Sequence, residues 1–200
     1  MIDALTLGDA SPKELQLSLD MSSNLLAHHL NVLEREGLLV RTRSEADRRR
    51  AYVQLVPSAL NDLLPGPVTT ARRIVFVCTA NSARSQLAAA LWRRASRIPA
   101  ASAGTHPARR IDPGAVAVAH RHDLRLRPSR PRPLNDVLHR DDHVITVCDN
   151  AHEELSVHQP QTLHWSVPDP VRVGTDAAFD AALTELTRRV GDLAPRLTPS

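Results

Sequence analysis

The chain has 200 residues, 42% of them hydrophobic, which is enough to bury the core of one large or two small domains. Its formal net charge is +3, and its two cysteines exclude a disulfide framework or a cysteine-rich zinc site. No apolar run reaches the length of a membrane span, and the first residues lack a signal-peptide pattern. We therefore expect a cytoplasmic protein in a reducing compartment.

Positive charge is concentrated in the middle of the sequence. Residues 71–132 contain 13 basic and 2 acidic residues, whereas residues 1–70 and 133–200 are both net acidic. Such an excess can steer an anionic substrate, although a basic surface without a specific role is the alternative. All basic residues except Lys13 are arginine, which indicates a composition bias, so runs of arginine alone are not taken as functional signals.

Residues 1–64 predict a small helical module that ends in a hairpin. Ser11-Pro12 begins a first helix, and Ser22 is the expected N-cap of a second. Strands over residues 38–43 and 51–55 flank a charged turn. Helix, turn, helix and a hairpin with a basic tip is the pattern of a winged helix-turn-helix.

The segment from Met21 to Leu38 resembles the ArsR-type winged-helix repressors, although the module is shorter than theirs. The resemblance implies that the second helix enters the major groove and the hairpin touches the DNA backbone. The residues implied at bases are Ser22, Ser23, Asn24 and His28, and those implied at phosphates are Arg43, Arg48 and Arg49. Operator DNA, and a second copy of the chain in a homodimer, are the implied partners. A scaffold module that binds no DNA stays open as the alternative.

Residues 65–71 predict an uncharged linker, and residues 72–200 predict an α/β domain. Strands are expected at 74–78, 100–105, 143–148 and 162–166, and helices at 84–96, 113–124 and 175–194. This alternation predicts a four-stranded parallel doubly wound sheet with right-handed crossovers. Ligands of such sheets bind beyond the carboxyl ends of the strands.

Cys78 ends the first of these strands, and a run of small residues leads from it into a helix. The backbone N–H groups of this run are expected to form an anion cradle at the helix N-terminus, whose field favours a thiolate nucleophile at Cys78. Arg84 can bind two oxygens of a tetrahedral oxyanion, and Ser85 can donate to the thiolate. A buried cysteine without a catalytic role is the alternative. The oxyanion-binding candidates are Thr79, Ala80, Asn81, Ser82, Ala83 and Arg84.

The spacing of Cys78, Arg84 and Ser85 resembles the low-molecular-weight protein tyrosine phosphatase family and its arsenate-reductase branch. The resemblance extends over about residues 72–196. It implies that Asp169, in Pro168-Asp169-Pro170, is a general acid over the cradle. It also implies that Cys148 lies where the reductases hold a second, resolving cysteine. A plain buried cysteine is the alternative for Cys148.

Three features separate the two branches. Gln86 follows Arg84-Ser85 as in the reductases, where phosphatases usually have proline. Pro170 is followed by Val171 and not by the aromatic residues that hold a phosphotyrosine ring. His164-Trp165 also matches the reductase pattern. We therefore expect an arsenate reductase in which a Cys78–arsenate adduct is resolved by a second thiol to release arsenite.

The reductases that use thioredoxin have a third cysteine, and residues 150–155 contain none. An external thiol is therefore expected, either mycothiol with a glutaredoxin-like partner or thioredoxin. No bound cofactor is expected, and the histidines show no spacing typical of a metal site. The alternatives are a phosphatase acting on a small phosphorylated substrate and an oxyanion-sensing repressor without turnover.

Overall fold

The structure, a computed structural model, describes residues 2–56, 69–128, 130–155 and 162–199. The chain divides into two compact units, residues 1–67 and residues 68–200. Most of the predicted linker lies outside the described residues. Within the described ranges, no helix is both long and apolar enough to cross a membrane.

The N-terminal unit consists of three helices and a hairpin. Its elements are α1 (Ile2–Leu5), α2 (Pro12–Leu19), α3 (Ser23–Arg35), β1 (Leu39–Arg43) and β2 (Ala51–Leu55). The side chains of Ser11 and Ser22 accept hydrogen bonds from backbone N–H groups in the first turns of α2 and α3, as N-caps do. β1 and β2 are antiparallel. The core is formed by Leu5, Leu15, Leu26, Leu30, Leu39 and Val53. The helices and hairpin lie close to the predicted positions, and their use in DNA binding stays a prediction.

The C-terminal unit alternates strands and helices. Its elements are β3 (Thr69–Ala71), β4 (Ile74–Cys78), α4 (Arg84–Ala95), β5 (Ala100–Gly104), α5 (Pro113–Arg121), β6 (His143–Thr146), α6 (Asp149–Leu155), β7 (Leu163–His164), α7 (Pro170–Val173), α8 (Asp176–Leu193) and β8 (Leu197–Pro199). Short 3-10 helices span Leu134–Asp136 and Ala194–Arg196.

A four-stranded sheet in the order β5-β4-β6-β7 forms the centre of this unit, and every pair in it is parallel. The predicted parallel α/β sheet is therefore confirmed. All five residues of β4 are buried, as expected for a central strand covered on both faces. Phe76 of this strand packs between Trp92 and Trp165, with ring centroids 6.0 and 5.7 Å away.

Three short elements differ from the prediction. Residues 69–71, assigned to the linker, form β3, which pairs in parallel with β8 in a separate two-stranded sheet. The reason is tertiary, because β3 gains its ladder hydrogen bonds from a strand more than 120 residues later in the chain. The helices α6 and α7 were also not predicted, since 7 and 4 residues are too few for a clear helical period.

Candidate functional site

The segment from Cys78 to Ser85 wraps around the end of β4 and enters α4. Cys78 is 3% exposed, and its Sγ accepts a hydrogen bond from the backbone N–H of Asn81 over 3.2 Å. The Oγ of Ser85 lies 3.1 Å from the same sulfur. Both contacts favour the thiolate form because each can donate to a negatively charged sulfur. The fold thus places a hydrogen-bonded thiol at the start of a helix.

Residues 105–112 lie alongside this loop and bind its backbone carbonyls. Their N–H groups donate to the carbonyl oxygens of Cys78, Thr79, Ala80 and Ser82 over 2.8–3.2 Å. In a trans peptide the C=O and the following N–H point in opposite directions. Because the carbonyls face the 105–112 segment, the next N–H groups in the chain face the concave side of the loop. This orientation is the one that an anion cradle requires.

Asn81 fixes the turn of the loop. Its φ is +49°, a left-handed conformation that asparagine tolerates better than most residues. Its Nδ2 donates to Ser85 Oγ over 2.8 Å, and its Oδ1 accepts from the N–H of Arg132 over 2.9 Å. Gln86 Nε2 adds a hydrogen bond to Asn81 Oδ1 over 3.1 Å. This role of the Asn81 side chain was missed in the sequence, although asparagine in a tight turn is a signal for positive φ.

Arg84 and Asp169 form an ion pair at the mouth of the loop. Arg84 is 8% exposed, and its Nη2 lies 3.0 Å from Asp169 Oδ2. Its Nη1 donates to the carbonyl of Val167 over 2.9 Å. The other carboxylate oxygen of Asp169 accepts from the N–H of Val171 and caps α7. The guanidinium is therefore held in one orientation beside the loop, with a carboxyl group next to it.

Cys148 follows the end of β6 and lies against the first residue of the loop. Its Sγ accepts hydrogen bonds from the N–H of Thr79 over 3.3 Å and of Ala151 over 3.5 Å. Burial raises the pKa of the Cys148 thiol, and the negative charge of a Cys78 thiolate raises it further. Cys148 is thus a buried thiol that is protonated at neutral pH and lies close enough to Cys78 to respond to its charge.

The structure brings together the residues predicted for this site: Cys78, Thr79, Ala80, Asn81, Ser82, Ala83, Arg84, Ser85, Cys148 and Asp169. The carbonyl of Val167 and the 105–112 segment also take part, and sequence reasoning did not find them because both act through backbone groups. Among the described residues, no group of three or more histidine, cysteine or acidic side chains is arranged to hold a metal ion.

The residues predicted at DNA belong to the N-terminal unit and are exposed. Ser22, Ser23, Asn24 and His28 lie at the start of α3. Arg43 lies at the end of β1, and Arg48 and Arg49 lie in the turn before β2. The backbone N–H and the guanidinium of Arg49 donate to the carboxylate of Asp47, and these hydrogen bonds lower the pKa of Asp47. Asp47 therefore partly neutralises the tip of the hairpin.

A parallel α/β unit with a cysteine loop, a following arginine and a facing Asp-Pro is typical of enzymes that bind tetrahedral oxyanions. The family model described as low molecular weight phosphotyrosine protein phosphatase matches residues 73–199. The chain belongs to this family. The match begins after the N-terminal unit.

Relatives with two different activities resemble the chain. An arsenate reductase of Oceanobacillus iheyensis is 26% identical over 125 residues, which is 60% of this chain and 89% of that protein. The low molecular weight protein-tyrosine-phosphatase Wzb of Salmonella typhi is 31% identical over 141 residues, covering 62% and 93%. The crystal structure of an arsenate reductase from Archaeoglobus fulgidus is 29% identical with a TM-score of 0.53, covering 61% and 98%. The chain is therefore an enzyme of this family, with relatives that include both arsenate reductases and phosphatases.

Proposed function

We propose that residues 72–200 catalyse the thiol-dependent reduction of arsenate to arsenite, with Cys78 as the nucleophile. The observation that supports this most is the position of Cys148. A phosphatase needs one cysteine for its covalent intermediate, whereas reduction needs a second thiol within reach of the first. Cys148 is hydrogen-bonded to Thr79, the residue after Cys78.

In the first step, the Cys78 thiolate attacks the arsenic atom of arsenate held by the backbone N–H groups of residues 79–84 and by Arg84. A sulfur–arsenic bond forms, an arsenic–oxygen bond breaks, and Asp169 donates the proton with which the oxygen leaves as water. Arsenic remains As(V) at this stage. The fixed N–H groups and the guanidinium bind the negative charge of the oxyanion throughout this step.

In the second step, the Cys148 thiolate attacks the sulfur of Cys78. A disulfide forms, the sulfur–arsenic bond breaks, and its electron pair passes to arsenic, which leaves as arsenite, As(III). The two thiols lose two electrons in total. An external thiol then reduces the Cys78–Cys148 disulfide, since residues 150–155 provide no third cysteine. Mycothiol with a glutaredoxin-like partner, or thioredoxin, would serve as this reductant.

The proposal is tested by measuring arsenite release by the purified full chain in the presence of thioredoxin, glutathione or mycothiol reducing systems. We expect turnover with at least one system and none in Cys78→Ser. Hydrolysis of an aryl phosphate without arsenite release in any system would instead assign the phosphatase activity. Neither activity, together with arsenate-dependent DNA binding, would assign an oxyanion-sensing repressor.

DNA binding by the N-terminal unit is a second candidate function, favoured by the exposed polar N-terminus of α3 and the arginines of the hairpin. We propose that Ser22, Ser23, Asn24 and His28 contact bases and that Arg43, Arg48 and Arg49 contact phosphates. A double variant, Arg43→Ala with Arg48→Ala, should lower affinity for a selected DNA duplex and reduce the salt dependence by about 0.9 per arginine. Arg140→Ala, an exposed arginine of the other unit, is the control. Unchanged binding by the double variant would contradict the proposal.

A further inference from the structure

Four buried polar side chains lie behind Cys148, and the mechanism above does not use them. They are Thr146 at the end of β6, Asp149 and His152 in α6, and His164 in β7, each no more than 4% exposed. Burying such groups is unfavourable unless they are hydrogen-bonded to one another. Their arrangement therefore has to be explained by the contacts that they make.

His164 is at the centre of this cluster. Its Nδ1 lies 2.9 Å from Thr146 Oγ1, and its Nε2 lies 3.1 Å from Asp149 Oδ1. Because an ionised carboxylate only accepts hydrogen bonds, Nε2 must carry a proton. The ring of His152 stacks on that of His164, with centroids 4.0 Å apart, and its Nδ1 lies 3.2 Å from the same Thr146 oxygen. Both nitrogens of His164 are thus engaged in a buried network.

The Asp149–His164 contact joins the two chain segments that complete the site. Asp149 directly follows Cys148, and its segment continues as α6. His164 precedes the segment that carries the Val167 carbonyl and Asp169, which hold the guanidinium of Arg84. One buried contact therefore connects the chain at Cys148 with the chain that orients Arg84.

Backbone pairing alone gives this second segment little support. β7 is two residues long and pairs with β6 through two residue pairs, Ile145 with Leu163 and Thr146 with His164. The next backbone hydrogen bond runs from the N–H of Trp165 to the carbonyl of Thr146 over 2.8 Å. A short edge strand of this kind depends on its side chains to stay in place.

We propose that Asp149 and His164 are positioning residues: their buried pair fixes the segment of residues 165–169 and, through Val167 and Asp169, the orientation of Arg84 towards the oxyanion. The inference rests on the proposed oxyanion site at Cys78. It does not depend on which oxyanion chemistry follows, because binding of the oxyanion already requires Arg84.

Two substitutions of His164 separate positioning from simple stability. In His164→Gln the amide nitrogen can take the place of Nε2 and still donate to Asp149. In His164→Asn the shorter amide reaches only the place of Nδ1, near Thr146. The measured quantity is the dissociation constant of inorganic phosphate for the full chain, obtained from protection of Cys78 against alkylation by iodoacetate. Val190→Ala, a core truncation in α8, shows what a loss of stability does by itself.

We expect His164→Asn to weaken phosphate binding about tenfold, since a small displacement of Arg84 is enough for such a loss. His164→Gln should bind phosphate nearly as well as the wild type, and Val190→Ala should melt earlier with unchanged affinity. Equal affinities for all three His164 forms, or the same weakening in Val190→Ala, would overturn the positioning role. Failure of phosphate to protect Cys78 in the wild type would overturn the oxyanion site itself, and with it this inference.

Discussion

Arg84 and Asp169 meet across the mouth of the loop, with 3.0 Å between Nη2 and Oδ2. They are 85 residues apart in the sequence, one at the start of α4 and the other before α7. The contact brings the group that binds an oxyanion next to the group that can protonate its leaving oxygen. It also means that Asp169 places a negative charge beside a site intended for an anion.

Asp169→Asn should therefore change binding and turnover in opposite directions. Loss of the carboxyl proton donor should lower kcat by about 10²–10⁴-fold. Loss of the competing negative charge should at the same time tighten the binding of inorganic phosphate. Steady-state kinetics and phosphate inhibition measure the two effects. Asp176→Asn at the exposed start of α8 is the control, and equal losses in kcat and affinity would argue against the general-acid role.

The reactivity of Cys148 should depend on the charge of Cys78. Burial and the Cys78 thiolate raise the pKa of Cys148, so its alkylation should be slow at neutral pH and should accelerate as the pH rises above the usual range of a thiol. Cys78→Ser removes the neighbouring charge and should lower the pKa and increase the alkylation rate at a given pH. Peptide mass spectrometry over a pH series measures this, and coincident pH profiles of the two proteins would refute the coupling.

Gly104 is required by the close approach of β5 to the loop. A Cβ at this position would lie 2.6 Å from the backbone oxygen of Thr79 and 3.0 Å from Asn81 Cβ. Gly104→Ala should displace the loop and lower kcat/KM about a hundredfold. Gly191→Ala is the matched control in α8, where a Cβ meets no atom within 4 Å, and it should raise stability by up to about 1 kcal/mol. Full activity of Gly104→Ala would show that the loop can move without cost.

The buried pair of Arg73 and Asp142 should make stability depend on pH. Burial alone would raise the pKa of Asp142, but hydrogen bonds from Arg73 and from the N–H of His139, together with the charge of Arg73, keep it below its ordinary value of 3.8. The stabilisation is present above that value and is lost as the pH falls through the lower folded-state pKa.

Asp142→Asn should thus reduce the free energy of unfolding at pH 7 by about 2 kcal/mol. The difference from the wild type should disappear in strong acid, as urea unfolding at several pH values can measure. Asp141→Asn removes the neighbouring exposed pair with Arg72 and should change stability by less than about 0.5 kcal/mol. Equal effects of the two substitutions would show that burial of Asp142 does not matter.

The central part of the site could be predicted because its signals are local. An apolar strand, a cysteine and a following arginine and serine define the loop from consecutive residues, and parallel strands bring Cys148 and Asp169 to the same edge of the sheet. The left-handed turn at Asn81 could have been inferred from the same stretch, since asparagine is common at positive φ.

Other parts of the site depend on contacts that no local pattern contains. The 105–112 segment and Val167 act through backbone atoms, which any side chain could accompany. His152 and His164 had been considered surface or satisfied polar residues, and they are buried and satisfied. Their pairing with Thr146 and Asp149 follows from the register of a two-residue strand that the sequence does not specify.

A single-turnover experiment tests the central claim most directly. The fully reduced chain is mixed with arsenate in the absence of any added thiol, and arsenite and disulfides are quantified by mass spectrometry. Two cysteines per chain supply two electrons, so we predict at most one arsenite per chain, together with a disulfide between Cys78 and Cys148. Cys148→Ser should release none under these conditions. Absence of both arsenite and the disulfide in the wild type would contradict the assignment of Cys78 and Cys148 as the pair of thiols that reduces arsenate.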